Sequence, residues 1–130
     1  MRTITLCLLV LALGLASTAA DDIAGEYTGF GKQPYSGQRY ACKVEITKTG
    51  DVYKIRWSFE DEFGYDGVGI VKDGRLCVGY AAHVGYGVAL YKIEADGVLD
   101  GVFGIPGFKE TGTEKLYPEE STRAGGEARE

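Results

Sequence analysis

The chain has 130 residues, with 14 Lys and Arg against 19 Asp and Glu and a formal net charge of −5. That is room for one domain with one core. An acidic chain with no basic cluster repels phosphate backbones, so nucleic acid is not an expected partner. A single histidine rules out His-pair metal sites, and the lack of any Asn removes N-glycosylation acceptors.

The first twenty residues read as an export signal. Arg2 supplies a positive start, residues 6–15 are almost wholly apolar, and Ser17, Thr18, Ala19 and Ala20 offer small residues for cleavage. A bilayer span needs about 20 apolar residues, roughly twice what is here. Cys7 follows Leu6, which is not the small residue a lipoprotein cleavage site wants. No membrane anchor is therefore expected, and the product should be secreted or periplasmic. Without Arg2 the remaining chain carries thirteen basic and nineteen acidic side chains, a formal charge of −6.

Eight short apolar–polar runs follow, at 23–30, 39–47, 52–59, 65–71, 75–81, 87–94, 98–104 and 111–117, most of them separated by Gly-containing turns. In the second, Cys42, Val44 and Ile46 share a face. In the third, Tyr53, Ile55, Trp57 and Phe59 do, while Lys54, Arg56 and Ser58 point away. Alternation of period two marks a sheet with one wet face. A four-residue loop at 48–51 would pair Ile46 with Tyr53, Val44 with Ile55 and Cys42 with Trp57. A three-residue loop at 95–97, with Gly97 left-handed, would set Ile93 opposite Leu99, Tyr91 opposite Gly101 and Ala89 opposite Phe103. For the hairpin turning at 72–74, two faces compete. The one that buries Val68, Ile70, Leu76 and Val78 removes more apolar area from water than the one that buries Tyr65, Val71 and Cys77.

Eight up-and-down strands bring the first and last into antiparallel contact, so the predicted fold is all-β, an eight-stranded antiparallel up-and-down barrel. A two-layer β-sandwich is the alternative. The expected organisation is a signal peptide at 1–20, a β-barrel domain at 21–117 and a polar tail at 118–130. That tail has nothing apolar beyond Pro118 larger than Ala, and so nothing to bury. Cys42 and Cys77 would lie on strands three apart and near opposite rims. A disulfide needs Cα atoms within about 7 Å, so two unbridged thiols are expected.

Few residues of the chain are placed for chemistry. His83 falls in a strand connection, with no nucleophile spaced to use it. Residues 60–62 and Asp66 form the densest acidic group, but without the regular ligand spacing of a calcium loop. Glu114 shares a face with Leu116 and would point inward, where it needs a partner. Tyr27 and Tyr91 are candidates, as is Arg39 at the rim. Tyr27, Tyr53, Trp57, Phe59, Tyr91 and Phe103 should converge on the interior and, with Glu114, make the candidate ligand-binding set. An eight-stranded barrel is wide enough to be filled by such side chains or to hold one small ligand. The short strands favour filling. No catalytic residue, metal or cofactor is predicted.

Gly25-Glu26-Tyr27 resembles the Gly-x-Trp start of lipocalin-type barrels. A broader likeness runs from Thr47 to Leu116, through Tyr53-Lys54-Ile55-Arg56-Trp57, Gly67-Val68-Gly69-Ile70, Leu76-Cys77-Val78-Gly79-Tyr80, Asp96-Gly97-Val98-Leu99-Asp100-Gly101-Val102-Phe103 and Gly112-Thr113-Glu114. This set resembles a family of small exported bacterial β-barrel proteins of the lipocalin or calycin type, some labelled fibronectin-binding. Phe103 stands where that pattern usually has Trp. The resemblance implies an exported lipocalin- or avidin-like barrel and no catalytic residues. The functional expectation is a non-enzymatic module that binds a small amphiphilic ligand in a shallow aromatic-lined barrel or at the loop rim. The alternative is a surface protein that binds an extracellular protein, as an adhesin or inhibitor does. A hydrolase comes third.

Overall fold

A computed structural model describes residues 22–60, 64–82 and 85–119. The strands are β1 (Gly25–Lys32), β2 (Arg39–Thr49), β3 (Val52–Ser58), β4 (Gly64–Lys72), β5 (Arg75–Ala82), β6 (Gly85–Ile93), β7 (Leu99–Gly104) and β8 (Gly112–Pro118). They form one closed barrel in sequence order. All eight neighbouring pairs are antiparallel, including β1 with β8 from Tyr27↔Pro118 to Lys32↔Thr113. Closure removes both exposed sheet edges. The predicted signal segment and the tail beyond Glu119 lie outside the described residues.

The two ends of the barrel differ. At the lower end the turns are tight: Gly50-Asp51 joins β2 to β3, Asp73-Gly74 joins β4 to β5, and residues 94–98 join β6 to β7. Ile23, just before β1, is buried, and its carbonyl accepts a hydrogen bond from the Tyr27 hydroxyl at 2.7 Å. Ile55, Leu76, Leu99 and Leu116 are 0% exposed and pack the interior. The upper rim carries the connections 33–38 and 105–111, with the ends of β3 and β5 and the starts of β4 and β6.

The β6–β7 hairpin has the predicted register, with Ile93↔Leu99, Tyr91↔Gly101 and Ala89↔Phe103 and with Gly97 at φ 88°. The β2–β3 hairpin is tighter than predicted. Gly50 at φ 61° makes a two-residue turn, so Ile46 pairs with Ile55, Val44 with Trp57 and Lys48 with Tyr53. The register moves by two residues, which leaves every side chain on its predicted face.

The β4–β5 hairpin departs by one residue, and there the face does change. Asp73 and Gly74 both take positive φ, 53° and 74°, as a type I′ two-residue turn requires. Val71 therefore pairs with Leu76 and Gly69 with Val78. Leu76 and Val78 are buried as expected, but Val68 and Ile70 face solvent. The inward positions of β4 include Gly67 and Gly69, where an added Cβ would press on Val78, Trp57, Leu76 and Ile55. The larger side chains of the flanking strands β3 and β5 already fill that space, so burying Val68 and Ile70 would overpack it.

Cys42 is buried and Cys77 exposed, and both are free thiols. They point to opposite faces of the sheet. This is a simpler obstacle to a bridge than the distance between the rims.

Candidate functional site

Beneath the upper rim the barrel is not filled. A cavity of about 200 Å³ lies there, walled by Tyr40, Trp57, Phe59, Tyr65, Tyr80, Tyr91 and Phe103 and reaching rim residues Gln33, Tyr86 and Ile105, with Glu114 on its lining. Six of the rings touch in a chain that curls round the wall. Phe103 meets Tyr40 at 6.4 Å between centroids, Tyr40 meets Phe59 at 5.8 Å and Phe59 meets Tyr65 at 5.5 Å. Tyr65 then meets Tyr80 at 5.7 Å and Tyr80 meets Trp57 at 5.6 Å. The contacts are tilted or edge-on, the arrangement that the ring quadrupole favours.

Glu114 is the buried polar residue of the core, 5% exposed. Its Oε1 accepts hydrogen bonds from Trp57 Nε1 and from the Tyr91 hydroxyl, each at 2.9 Å, and its Oε2 accepts one from the Tyr40 hydroxyl at 2.6 Å. No ion pair to Glu114 occurs among the described residues. Three neutral donors stand in for the water that burial removed.

The strand register explains how these groups meet. Glu114 has Gly31 beside it on β1 and Gly101 beside it on β7. Beyond Gly31 comes Tyr40, and beyond Gly101 comes Tyr91. A Cβ at Gly31 would collide with the Tyr40 ring, and one at Gly101 with the Tyr91 ring. Each tyrosine thus lies flat across a glycine, and from either side its hydroxyl reaches the same carboxylate. Phe103 over Gly112 and Tyr80 over Gly87 repeat the device higher in the wall. Small residues under flat rings keep the narrow barrel from filling.

The environment acts strongly on the phenols. Burial first, then the charge of Glu114 and the hydrogen bond to it, push the Tyr40 and Tyr91 hydroxyls far above the ordinary tyrosine range. The Trp57 side chain acts weakly the other way on Tyr91. Burial, with smaller contributions from Tyr65 and Glu114, raises Tyr80 to about 12. Burial and the Glu114 charge likewise raise the Cys42 thiol to about 12, against a smaller lowering by a backbone bond from Gly29.

Of the candidate residues, Trp57, Phe59, Tyr91, Phe103 and Glu114 come together at the cavity. Tyr27 and Tyr53 point inward but sit below it, in the packed lower half with Ile23. Tyr27 does not reach Glu114, and Arg39 does not pair with it. Tyr40, Tyr65 and Tyr80 were missed, although Tyr40 extends the alternation of Cys42, Val44 and Ile46 by one step and Tyr80 that of Leu76 and Val78. Of the acidic group, Asp66 is exposed and pairs with Arg56 at 3.2 Å. Asp61, Glu62 and His83 lie outside the described residues. Among the described residues no group of three His, Cys, Asp or Glu side chains is placed to hold a metal ion.

Fold and site together define a closed β-barrel with an aromatic-walled cavity floored by a buried carboxylate. No known protein family matches the chain, and no curated protein matches it either.

Proposed function

We propose that the protein is an exported, non-enzymatic binding module that holds a small amphiphilic ligand in the upper half of its barrel. The observation that carries this reading is the cavity of about 200 Å³, with aromatic walls and a polar floor, in a domain otherwise packed to its lower end. A dry cavity of about 150 Å³ is large enough for benzene, so a ligand of one ring and a short polar arm fits the volume. Convergent polar groups in an apolar pocket are the usual layout of a ligand site. Native mass spectrometry of protein purified from its host tests the reading. Extra mass, lost on denaturation, is expected, as is a chain that starts near residue 21. Turnover that disappears in His83→Ala would overturn the non-enzymatic reading.

A second reading rests on a different observation. On the outer face, Ile70, Cys77, Leu90 and Val102 form a row across β4 to β7, with Val68 and Val88 beside it, all of them exposed. Exposed apolar patches of this kind mark contact sites. Charges of both signs border it, among them Arg56, Asp66, Lys92 and Asp100. The face that best matches an apolar sheet with a mixed-charge border is its own counterpart on a second copy, so this reading is of a homodimer. Light scattering should then give a dimer mass for the natural chain and a monomer mass for Val88→Glu.

A further inference from the structure

The cavity offers very unequal terms to ligands of different charge. Among the described residues the lining includes no Lys or Arg, and Glu114 is the one acidic side chain there. Three donors of the lining, Tyr40, Trp57 and Tyr91, are already committed to Glu114, and those that remain at the rim side, Gln33, Tyr65 and Tyr86, are an amide and two hydroxyls, not cations. The Tyr80 hydroxyl is directed to the Gly104 carbonyl at 3.4 Å. An anionic head group would therefore meet a buried carboxylate with no cation to offset it.

A cation meets the opposite situation. A carboxylate offers about four acceptor positions on its two oxygens. Oε1 uses two, for Trp57 and Tyr91, and Oε2 uses one, for Tyr40, so one position on Oε2 remains for an incoming N–H. The same cavity is lined by the rings of Tyr40, Trp57, Phe59, Tyr65 and Tyr80, and a desolvated cation is held well by such rings, Trp and Tyr above all. The formal charge of the whole chain, −5, also raises the local concentration of cations.

We propose that the cavity selects small organic cations, specifically a monoammonium group on a compact apolar body, with the nitrogen seated between Glu114 and the aromatic wall. This deepens the binding-module reading and rests on it. Every polar atom of the floor then has a partner in the loaded state, and the ligand supplies the positive charge that the chain leaves out of its own interior.

The test uses two probes of one size that differ in charge, phenethylammonium and 2-phenylethanol, titrated into the full chain at neutral pH. Trp57 is the sole tryptophan and lines the cavity, so its fluorescence reports occupancy. The ammonium should bind about tenfold tighter or more. In Glu114→Gln, which keeps the shape and the acceptor for Trp57, that ratio should fall to about one while 2-phenylethanol binding persists. Tyr65→Leu, which removes one ring without touching the floor, should weaken the ammonium more than the alcohol. Equal or tighter binding of the alcohol to the natural chain overturns the charge selectivity and leaves the cavity reading standing. So does a preference that survives in Glu114→Gln. If neither probe moves Trp57 fluorescence or gives heat by calorimetry, both readings fall together.

Discussion

At the scale of single residues, the site depends on what is absent as much as on what is present. Gly101 accepts the Tyr91 ring where a methyl group would stand. Gly101→Ala should destabilise the fold by about 1–3 kcal/mol, the usual cost of overpacking. At Gly79 nothing lies within 4 Å of the same added atom, so Gly79→Ala should stay within about 0.5 kcal/mol. Urea unfolding of the pair separates close approach from a general intolerance of substitution. Glu114→Leu strands the Trp57 N–H and two hydroxyls against an apolar group. It should cost roughly 2–3 kcal/mol, more than Glu114→Gln, by the same measurement. The phenols set an alkaline limit. Burial, then the nearby charge of Asp22 and finally Tyr53, raise Tyr27 to about 12 from an ordinary 10.0. A folded value above the unfolded one means stability is complete below pH about 10 and is lost as pH climbs through about 12. Tyrosinate absorbance should accordingly rise in step with loss of structure, not ahead of it.

Among the elements, β2, β3, β6 and β8 could be read directly, because each alternates cleanly and their buried positions are the predicted ones. The β4 strand could not. Its outward residues are Val68 and Ile70 and its inward ones include Gly67 and Gly69, so local hydrophobicity points the wrong way. What decides the matter is volume contributed by Trp57, Ile55, Leu76 and Val78, and such long-range filling is invisible in a nine-residue window. The floor of the site was half legible for a related reason. Glu114 and Tyr91 announce themselves by alternation, but Tyr40 becomes a partner only once the β1–β2 register sets it opposite Gly31. Two contrasts follow for experiment. Ile70→Thr should change stability by no more than about 0.5 kcal/mol, whereas Leu76→Ala should cost about 2–5 kcal/mol. Alkylation of the native protein should modify Cys77 and spare Cys42 until denaturant is added, as mass spectrometry can follow, since Cys42 is buried with its thiol held largely protonated up to about 12.

For the molecule as a whole, closure places the ends of the domain side by side. Tyr27 pairs with Pro118, the Glu119 amide donates to the Glu26 carbonyl at 2.9 Å, and Lys43 bridges to Glu119 at 2.8 Å. That ion pair pulls the Glu119 carboxylate below its usual range, chiefly through the hydrogen bond from Lys43. A permuted chain that joins 119 to 22 through a short Gly linker and opens at Gly50-Asp51 should therefore fold with the same circular dichroism spectrum as the natural order. Ile23 and Tyr27 belong to the packed core below the cavity, tied by the hydrogen bond between them. With these side chains packed below the cavity, the ligand proposed for it would enter and leave past the upper rim. Residence time would then be governed by the width of that opening, so a smaller side chain at Tyr86, the more exposed of the rim residues, should speed entry and exit together.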